Sequence, residues 1–223
     1  YAWDSFENKP KFHDYLKEVD EFLTFDIEDS KRYKLPIIDL FAEKNFFKNN
    51  SKKSLFKLSF IGTLHSNRSI IIQKLRKILI KNKIKYNFKL YYHNIYLIFI
   101  RYIFEKSVRD LYNDIIFKPL SKNIIHKIFS NSMYVLDIKH PKQSGFTSRT
   151  FETLASGAVL ITNNKNILKI KKSLKMKCIY INNFNNLDTV ITRNIEKFNY
   201  QISMKDKYYI SIDRFVDELS EYI

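Results

Sequence analysis

Cysteine is almost absent from this chain of 223 residues, which contains only Cys178. A disulfide within the chain and a metal cluster held by cysteines are therefore excluded, as is usual for a cytosolic protein. Long apolar runs are also missing. The longest, near residues 95–100, ends at Arg101, far short of the roughly 18 residues that a membrane-spanning helix needs. No signal peptide is visible, and because the chain starts at Tyr1 without a methionine, we expect it to be a fragment.

A pattern of metal ligands is missing as well. The sequence contains no Asp-x-Asp, the arrangement in which two carboxylates bridge a divalent cation to a diphosphate. Its histidines lack the four-residue spacing that brings two imidazoles to one face of a helix. We therefore predict no metal site. The histidines are His13, His65, His93, His126 and His140.

Positive charge dominates the composition, with 39 lysines and arginines against 23 acidic residues and a net charge of +16. Such a charge attracts polyanions, because cations that neutralise phosphates release counterions. The basic residues are dispersed through sequence rich in Ile, Asn, Phe and Tyr, however, and no nucleic-acid-binding motif accompanies them. We expect no specific nucleic-acid partner. Two explanations of the charge stay open: the codon bias of an AT-rich genome, and attraction to an anionic membrane surface.

Apolar residues alternate between strand-like and helix-like spacing, which favours an α/β, Rossmann-like parallel sheet with helices on both faces. A partial second α/β domain is expected before it, where residues 1–4 and 21–25 resemble strands and residues 40–54 resemble a linker. Residues 95–104 indicate either a buried helix or a mixed signal. Further strands are predicted at 55–61, 86–92, 133–138, 158–162 and 178–181, and helices at 67–81, 121–129, 148–156 and 211–222.

Residues 144–164, SGFTSRTFETLASGAVLITNN, form the most informative segment, because they predict a short helix that leads into a buried strand. Gly145 can adopt the turn conformation that other residues resist, and Thr147 or Ser148 can cap the helix. At the other end, Gly157 suits a left-handed C-terminal residue.

Two charged residues share one face of this predicted helix. Arg149 and Glu152 are three positions apart near the N-terminus, where backbone amides and the helix dipole favour anions. The guanidinium can pair with phosphate, and the carboxylate can accept two hydrogen bonds from a ribose diol. The segment therefore predicts a nucleotide-sugar site, although an Arg-x-x-Glu pair is often only a surface ion pair.

At these residues the chain resembles the C-terminal, donor-binding domain of GT-B glycosyltransferases, and more narrowly the bacterial group that contains lipopolysaccharide and capsule transferases and CgeB-like proteins. One motif is a strand that ends in glycine, FIGTLHSNR, with Gly62 and Arg68; the other is RTFETLASG. The resemblance implies that Glu152 binds the ribose of the donor and that the loop after Gly62 approaches its diphosphate or sugar. Many retaining GT-B enzymes carry another glutamate eight positions earlier, where this chain has Ser144, so retaining chemistry is not implied.

Residues near the two motifs complete the predicted donor site. His65 lies in the loop after the Gly62 strand, and Lys139, His140 and Gln143 follow the strand before the second motif, at the edge where open α/β sheets bind ligands. Ordinary polar loops remain the alternative for these residues. No catalytic residue is assigned. The predicted donor-binding residues are Gly62, His65, Arg68, Lys139, Gln143, Gly145, Thr147, Arg149 and Glu152.

The resemblance implies a metal-independent hexosyltransferase that moves a sugar from a nucleotide-diphosphate sugar to a glycan or lipid-linked glycan in lipopolysaccharide or capsule biosynthesis. It needs no cofactor, since the nucleotide sugar is a substrate, and it is expected in the cytoplasm at the inner face of the membrane. Residues 1–50 are interpreted as the tail of an acceptor domain and a linker. Residues 51–208 are the donor domain, and residues 209–223 are a helix that crosses back.

Two alternatives remain. One is a non-catalytic module that binds nucleotides or polyanions, and the other is a different Rossmann-like enzyme such as a sugar-nucleotide epimerase, which the absence of G-x-G-x-x-G disfavours. The substitution Glu152→Gln separates two interpretations of that residue. A ribose ligand predicts weaker donor binding with little change in stability, whereas an ion pair predicts a shift in melting alone.

Overall fold

The computed structural model describes residues 1–47, 54–65, 67–184, 187–192 and 202–222, apart from the side chain of Asp188. Strands in these ranges form one sheet in the order β3-β2-β1-β4-β5-β6, and every neighbouring pair is parallel. The predicted α/β, Rossmann-like class is thereby confirmed. The strands are β1 Phe56–Thr63, β2 Tyr86–Tyr91, β3 Ile115–Ile116, β4 Ser132–Asp137, β5 Val159–Thr162 and β6 Cys178–Tyr180.

The order of the strands reverses between β1 and β4. In open parallel sheets a crevice forms outside the carboxyl ends of the two strands at such a switch point, and ligands bind there. Helices precede, connect and follow the strands. They are α1 Phe12–Tyr15, α2 Ile27–Tyr33, α3 Arg68–Lys81, α4 Ile95–Phe104, α5 Lys106–Asp110, α6 Lys122–Ser130, α7 Ser148–Ala155, α8 Lys172–Lys175, α9 Leu187–Thr192, α10 Met204–Tyr209 and α11 Ile212–Ser220.

Strand β4 shows how the sheet buries both of its faces. Tyr134 and Leu136 point to a core that includes the apolar side of α3, while Val135 between them points to a second core. This alternation follows from the two-residue period of a strand. The second core contains Phe151 and Leu154 of α7, three positions apart on one helical face. Helices therefore cover both faces, as the apolar pattern predicts.

The first 47 residues pack against this sheet. Phe25, Leu40 and Phe46 belong to the same core as α7. The interpretation of residues 40–54 as a linker is thus wrong for 40–47, because three side chains of that stretch, Leu40, Ala42 and Phe46, are buried; residues 48–53 lie outside the described part.

The strands predicted at 1–4 and 21–25 are also wrong. Only single bridges form there, Ala2 with Thr24 and Thr24 with Ile37, because the pairing does not continue to neighbouring residues. The prediction at residues 95–104 is half right, since these residues form α4, but most of its apolar side chains are exposed instead of buried. The short strand β3 was not predicted.

Helix α11 contacts residues 1–47, called the N-terminal segment below. Phe215 packs with Leu23 and Ile38, and the guanidinium of Arg214 donates to the backbone oxygens of Asp39 and Leu40 at 2.9 Å each. The division into 1–50, 51–208 and 209–223 stays a prediction. No helix in the described part of the chain combines the length and the apolar character needed to cross a membrane.

Candidate functional site

A cavity of about 480 Å³ lies at the switch point, beside the carboxyl ends of β1 and β4 and the N-termini of α3 and α7. Its volume falls within the range of roughly 300–1,000 Å³ that is usual for small-molecule sites. Both arginines of the predicted site line it, together with apolar residues from the N-terminal segment. The lining residues are Trp3, Phe25, Leu40, Phe60, Ile61, Gly62, Thr63, Arg68, Asp137, Gln143, Thr147, Ser148 and Arg149.

Arg68, the first residue of α3, joins the two strands that flank the cavity. Its guanidinium donates to the backbone oxygen of Thr63 at 3.1 Å and to that of Ile138, just beyond β4. The buried Nε atom has no hydrogen-bond partner among the described residues. Burial lowers the pKa of Arg68, and the neighbouring Asp137 acts in the opposite direction. Because arginine stays protonated in proteins, the side chain places a fixed positive charge at the cavity.

Asp137, the last residue of β4, lies below the start of α7. The hydroxyl groups of Thr147 and Thr150 donate to its Oδ2 atom at 3.0 and 3.2 Å. Burial raises the pKa of Asp137, and the charge of Arg68 opposes that rise. Thr147, one of the two predicted capping residues, is the N-cap residue of α7, but its side chain makes no capping hydrogen bond; its hydroxyl donates to Asp137 instead. The first amides of α7, those of Ser148 and Arg149, therefore have no side-chain cap and can bind an anion.

Glu152 is buried, with 1% of its surface exposed, and does not line the cavity. Lys122 donates to one of its carboxylate oxygens, and Arg149 donates to the other at 2.8 Å. Arg149 also lies over the ring of Phe129, with its guanidinium carbon 5.6 Å from the centroid. The carboxylate thus holds Arg149 in place at the cavity. Its contact with ribose stays a prediction from the resemblance.

The loop before α7 is held by a buried carboxylate from the N-terminal segment. Asp26 accepts hydrogen bonds from the backbone and the hydroxyl of Ser144, both at 2.6 Å, and from the amide of Gly145 at 3.2 Å. Ser144 is therefore bonded to Asp26 through both its amide and its hydroxyl.

Gly145 does not adopt a left-handed turn, so that prediction is wrong. A glycine is needed there for another reason, since a Cβ atom would lie 2.2 Å from the backbone oxygen of Phe25. Gly157 does have a positive φ of 81°, as predicted for the end of α7.

Of the remaining predicted residues, Gln143 and Lys139 line cavities and His65 does not. Gln143 lines the first and donates to Asp4 at 2.7 Å, so it links the N-terminal segment to the loop after β4. Lys139 lines a second cavity of about 530 Å³, which Gln143 also borders. His65 is not among the residues that line either cavity. The centroid of its ring lies 4.7 Å from that of His140. Burial, together with the charge of Arg68, lowers the pKa of His65 to about 4.

Sequence reasoning missed residues that reach the site from distant parts of the chain. Lys122 comes from α6 and pairs with Glu152, 30 positions later. Within the predicted helix α7, Thr150 was missed as well; its hydroxyl donates a hydrogen bond to Asp137. Trp3, 58% exposed, lines the cavity from the first residues of the chain. Its position at the end of a predicted strand is the only sequence signal for it, and the sequence offers none for Lys122.

Comparison with protein-family models and with curated proteins finds no match. Among solved structures, the chain is similar to a glycosylation-associated protein (Gap123) complex from Streptococcus agalactiae, with 14% identity and a TM-score of 0.44 over 98% of this chain and 45% of that one. Accessory secretory proteins 1, 2 and 3 of Streptococcus pneumoniae give 12% identity and a TM-score of 0.46 over 96% and 45%. A GtfA/B complex gives 13% and 0.49 over 96% and 47%.

The chain therefore spans about half the length of these structures. With identities this low and TM-scores below 0.5, the matches assign neither a family nor an activity.

Proposed function

We propose that the cavity between β1 and β4 binds the diphosphate of a nucleotide-diphosphate sugar, and that the protein transfers this sugar to a glycan hydroxyl. One observation carries the proposal. Arg68 and Arg149 line a cavity of ligand size at the switch point of a parallel sheet, beside the N-terminus of α7. Fixed cations and helix-end amides at such a place favour a bound phosphate.

The same groups suit the chemistry of glycosyl transfer. When the bond between the sugar and the diphosphate breaks, negative charge builds on the leaving group, and preorganised cations and amides stabilise that charge without reorganising. Arg68 is held by two backbone oxygens, and Arg149 is held by Glu152, so both are oriented before a ligand arrives. A base must also deprotonate the acceptor hydroxyl, and no residue is assigned to that step.

The finer parts of the proposal rest on the resemblance of RTFETLASG and FIGTLHSNR to donor-binding domains of GT-B glycosyltransferases. They are a hexosyl donor, a glycan or lipid-linked glycan acceptor, lipopolysaccharide or capsule biosynthesis, and a place at the inner face of the membrane. They also include metal independence, for which the two arginines offer a physical reason, since they can supply the positive charge at the diphosphate. Transfer that survives EDTA is the expected result, and transfer that stops would contradict this part.

Calorimetry tests the phosphate half of the proposal. We expect UDP or GDP to bind at least about tenfold more tightly than uridine or guanosine, because one charge-assisted contact is worth about 1.5–3 kcal/mol. Arg149→Gln should remove most of that preference. A matched control is Arg76→Gln. The side chain of Arg76, on α3, is as exposed as that of Arg149, but it pairs with Asp114 and does not line the cavity. Equal affinities for each diphosphate and its nucleoside would overturn the proposal.

Turnover tests the other half. Incubation with radiolabelled nucleotide sugars should release free nucleoside diphosphate, slowly by hydrolysis and faster with a glycan acceptor. Tight binding of UDP or GDP without any turnover would instead support the non-catalytic nucleotide-binding module. Binding that collapses steeply with added salt and favours nucleic acid over nucleotides would support a polyanion-binding module.

A further inference from the structure

Helix α4, with the sequence IYLIFIRYIF, exposes almost all of its apolar side chains. Only Ile98 is buried, and with the half-buried Asn94, Arg101 and Glu105 it forms the single stripe that faces the protein. Tyr96 and Phe104 are both 80% exposed. The exposed side chains, called the α4 apolar surface below, are Ile95, Tyr96, Leu97, Phe99, Ile100, Tyr102, Ile103 and Phe104.

Hydrogen bonds fix this helix in place at both ends. The side chain of Asn94 accepts from the amides of Tyr96 and Leu97 at 3.0 Å each. Near the other end, Arg101 makes two hydrogen bonds with Glu105, at 2.7 and 2.8 Å, and a third with the backbone oxygen of Leu64 at 3.2 Å. The α4 apolar surface is therefore presented by an anchored, capped helix. Exposed apolar surface of this extent marks an interaction site.

Charge decides between the candidate occupants of this surface. A second copy of the chain would bring the same net charge of +16, so two copies repel each other. An anionic partner is attracted instead. The acidic residues near α4 are already paired: Glu105 with Arg101, and Asp110 with Lys77.

Two further cations, Lys106 and Arg109, follow the helix directly, and Arg109 donates to the last backbone oxygens of α4. These cations can contact anionic headgroups while the apolar side chains of α4 enter the interface of the bilayer.

Shape points to lipid as well. The apolar side chains surround α4 on every side except its one contact stripe, and a fluid lipid phase can enclose such a convex surface completely. The helix has 10 residues, so its length is about 15 Å, half of the roughly 30 Å needed to span the hydrocarbon core. It can therefore lie in the interface but cannot cross the bilayer.

We propose that α4 is a membrane-docking helix that inserts its apolar surface into the interface of an anionic lipid bilayer. The helix follows the carboxyl end of β2, and Arg101 contacts Leu64 just after β1, so docking would bring the cavity edge of the sheet close to the lipid. This inference does not rest on the proposed transferase activity, because it concerns binding to lipid alone.

Flotation with vesicles tests the proposal on the whole chain. The chain should float with vesicles of phosphatidylcholine and phosphatidylglycerol, and much less with phosphatidylcholine alone. The triple variant Tyr96→Gln, Phe99→Gln, Phe104→Gln should lose at least about tenfold in partitioning, since burying even one such ring is worth about that factor. Glutamine keeps a high helix propensity. The matched control is Ile80→Gln, Met176→Gln, Met204→Gln, which removes three exposed apolar side chains elsewhere and should float like the unchanged chain.

A single added fluorophore provides a readout that needs no disruptive variant. With Trp3 replaced by Phe, so that the added residue is the only tryptophan, Phe99→Trp should show a blue shift with anionic vesicles, whereas Ile80→Trp, exposed on α3, should not. The proposal fails if the unchanged chain does not float with anionic vesicles, or if the folded α4 variant floats as well as the control. It also fails if the chain is a dimer in lipid-free buffer that the α4 variant converts to a monomer, because a second copy then covers the surface.

Discussion

The substitution Glu152→Gln tests what the buried carboxylate at the start of α7 does. It exchanges a charged acceptor for a neutral amide of the same size, between Lys122 and Arg149. Because Glu152 is 1% exposed and does not line the cavity, the structure leads us to expect a loss of stability and only a small change in nucleotide affinity. This reverses the result expected for a ribose ligand.

The magnitude follows from the environment of the two ion pairs. Removing one partner of a fully buried pair costs about 3–5 kcal/mol. Here the side chains of Lys122 and Arg149 are 45% and 25% exposed, so water solvates them after the substitution, and the cost is smaller. We expect the free energy of unfolding to fall by about 1–3 kcal/mol. For a chain of this size that corresponds to a drop in melting temperature of roughly 2–12 °C.

Thermal melting and UDP calorimetry on the same protein decide the question. Glu43→Gln is the matched control, because Glu43 also contacts Lys122, at 3.7 Å, but is 39% exposed, and its loss should cost less than about 1 kcal/mol. Nucleotide affinity of Glu152→Gln should stay within about threefold of the unchanged chain, because the amide oxygen of Gln can still accept from Arg149 and keep it in place. An unchanged melting temperature with a collapse in affinity would refute the structural role and restore the ribose contact.

Four further substitutions probe the surroundings of the site. Gly145→Ala should lower the urea midpoint by the equivalent of about 1–3 kcal/mol or more, because its Cβ would overlap the backbone of Phe25. Gly157→Ala has open space around the added Cβ but a φ of 81°, and it should cost only about 1 kcal/mol. Asp26→Asn should cost about 1.5–3 kcal/mol, since its buried carboxylate accepts several backbone hydrogen bonds; equal stability would contradict that bonding. Because the pKa of His65 is about 4 in the folded chain and 6.5 in the unfolded chain, lowering the pH from 6.5 to 4 protonates the unfolded chain before the folded one, and the free energy of unfolding falls. Melting measured across this pH range should show a smaller loss of stability for His65→Gln.

The sheet could be predicted because its strands carry their own signal. Val159–Thr162 follows a glycine turn and is a short apolar run, the composition of a buried parallel strand, and Tyr86–Tyr91 alternates between apolar and polar residues. The bridges at Ala2 and Thr24 could not be predicted as isolated, since alternation within a segment does not reveal how far its pairing extends. Nor does periodicity distinguish a buried apolar helix from α4, whose side chains face outward.

The candidate site divides in the same way. Its local parts, Arg68 and Arg149 at the starts of two helices and Gly62 at a strand end, follow from motif and position, and all three line the cavity. The contacts between residues far apart in the sequence do not follow from motif or position. The partnership of Glu152 with Lys122 depends on how α6 packs beside α7, which no spacing in the sequence encodes.

The N-terminal segment makes the cavity dependent on residues far outside the motif region. Trp3 and Phe25 line it, and Phe25 also joins the core beneath α7. Asp26, the next residue, bonds to the loop that carries Gly145, and the close approach of that loop to Phe25 is what requires the glycine. A shift of this segment would therefore move the loop directly before α7 and, through it, the helix start that presents Arg149. The first 47 residues thus help to position Arg149, which we propose to bind phosphate.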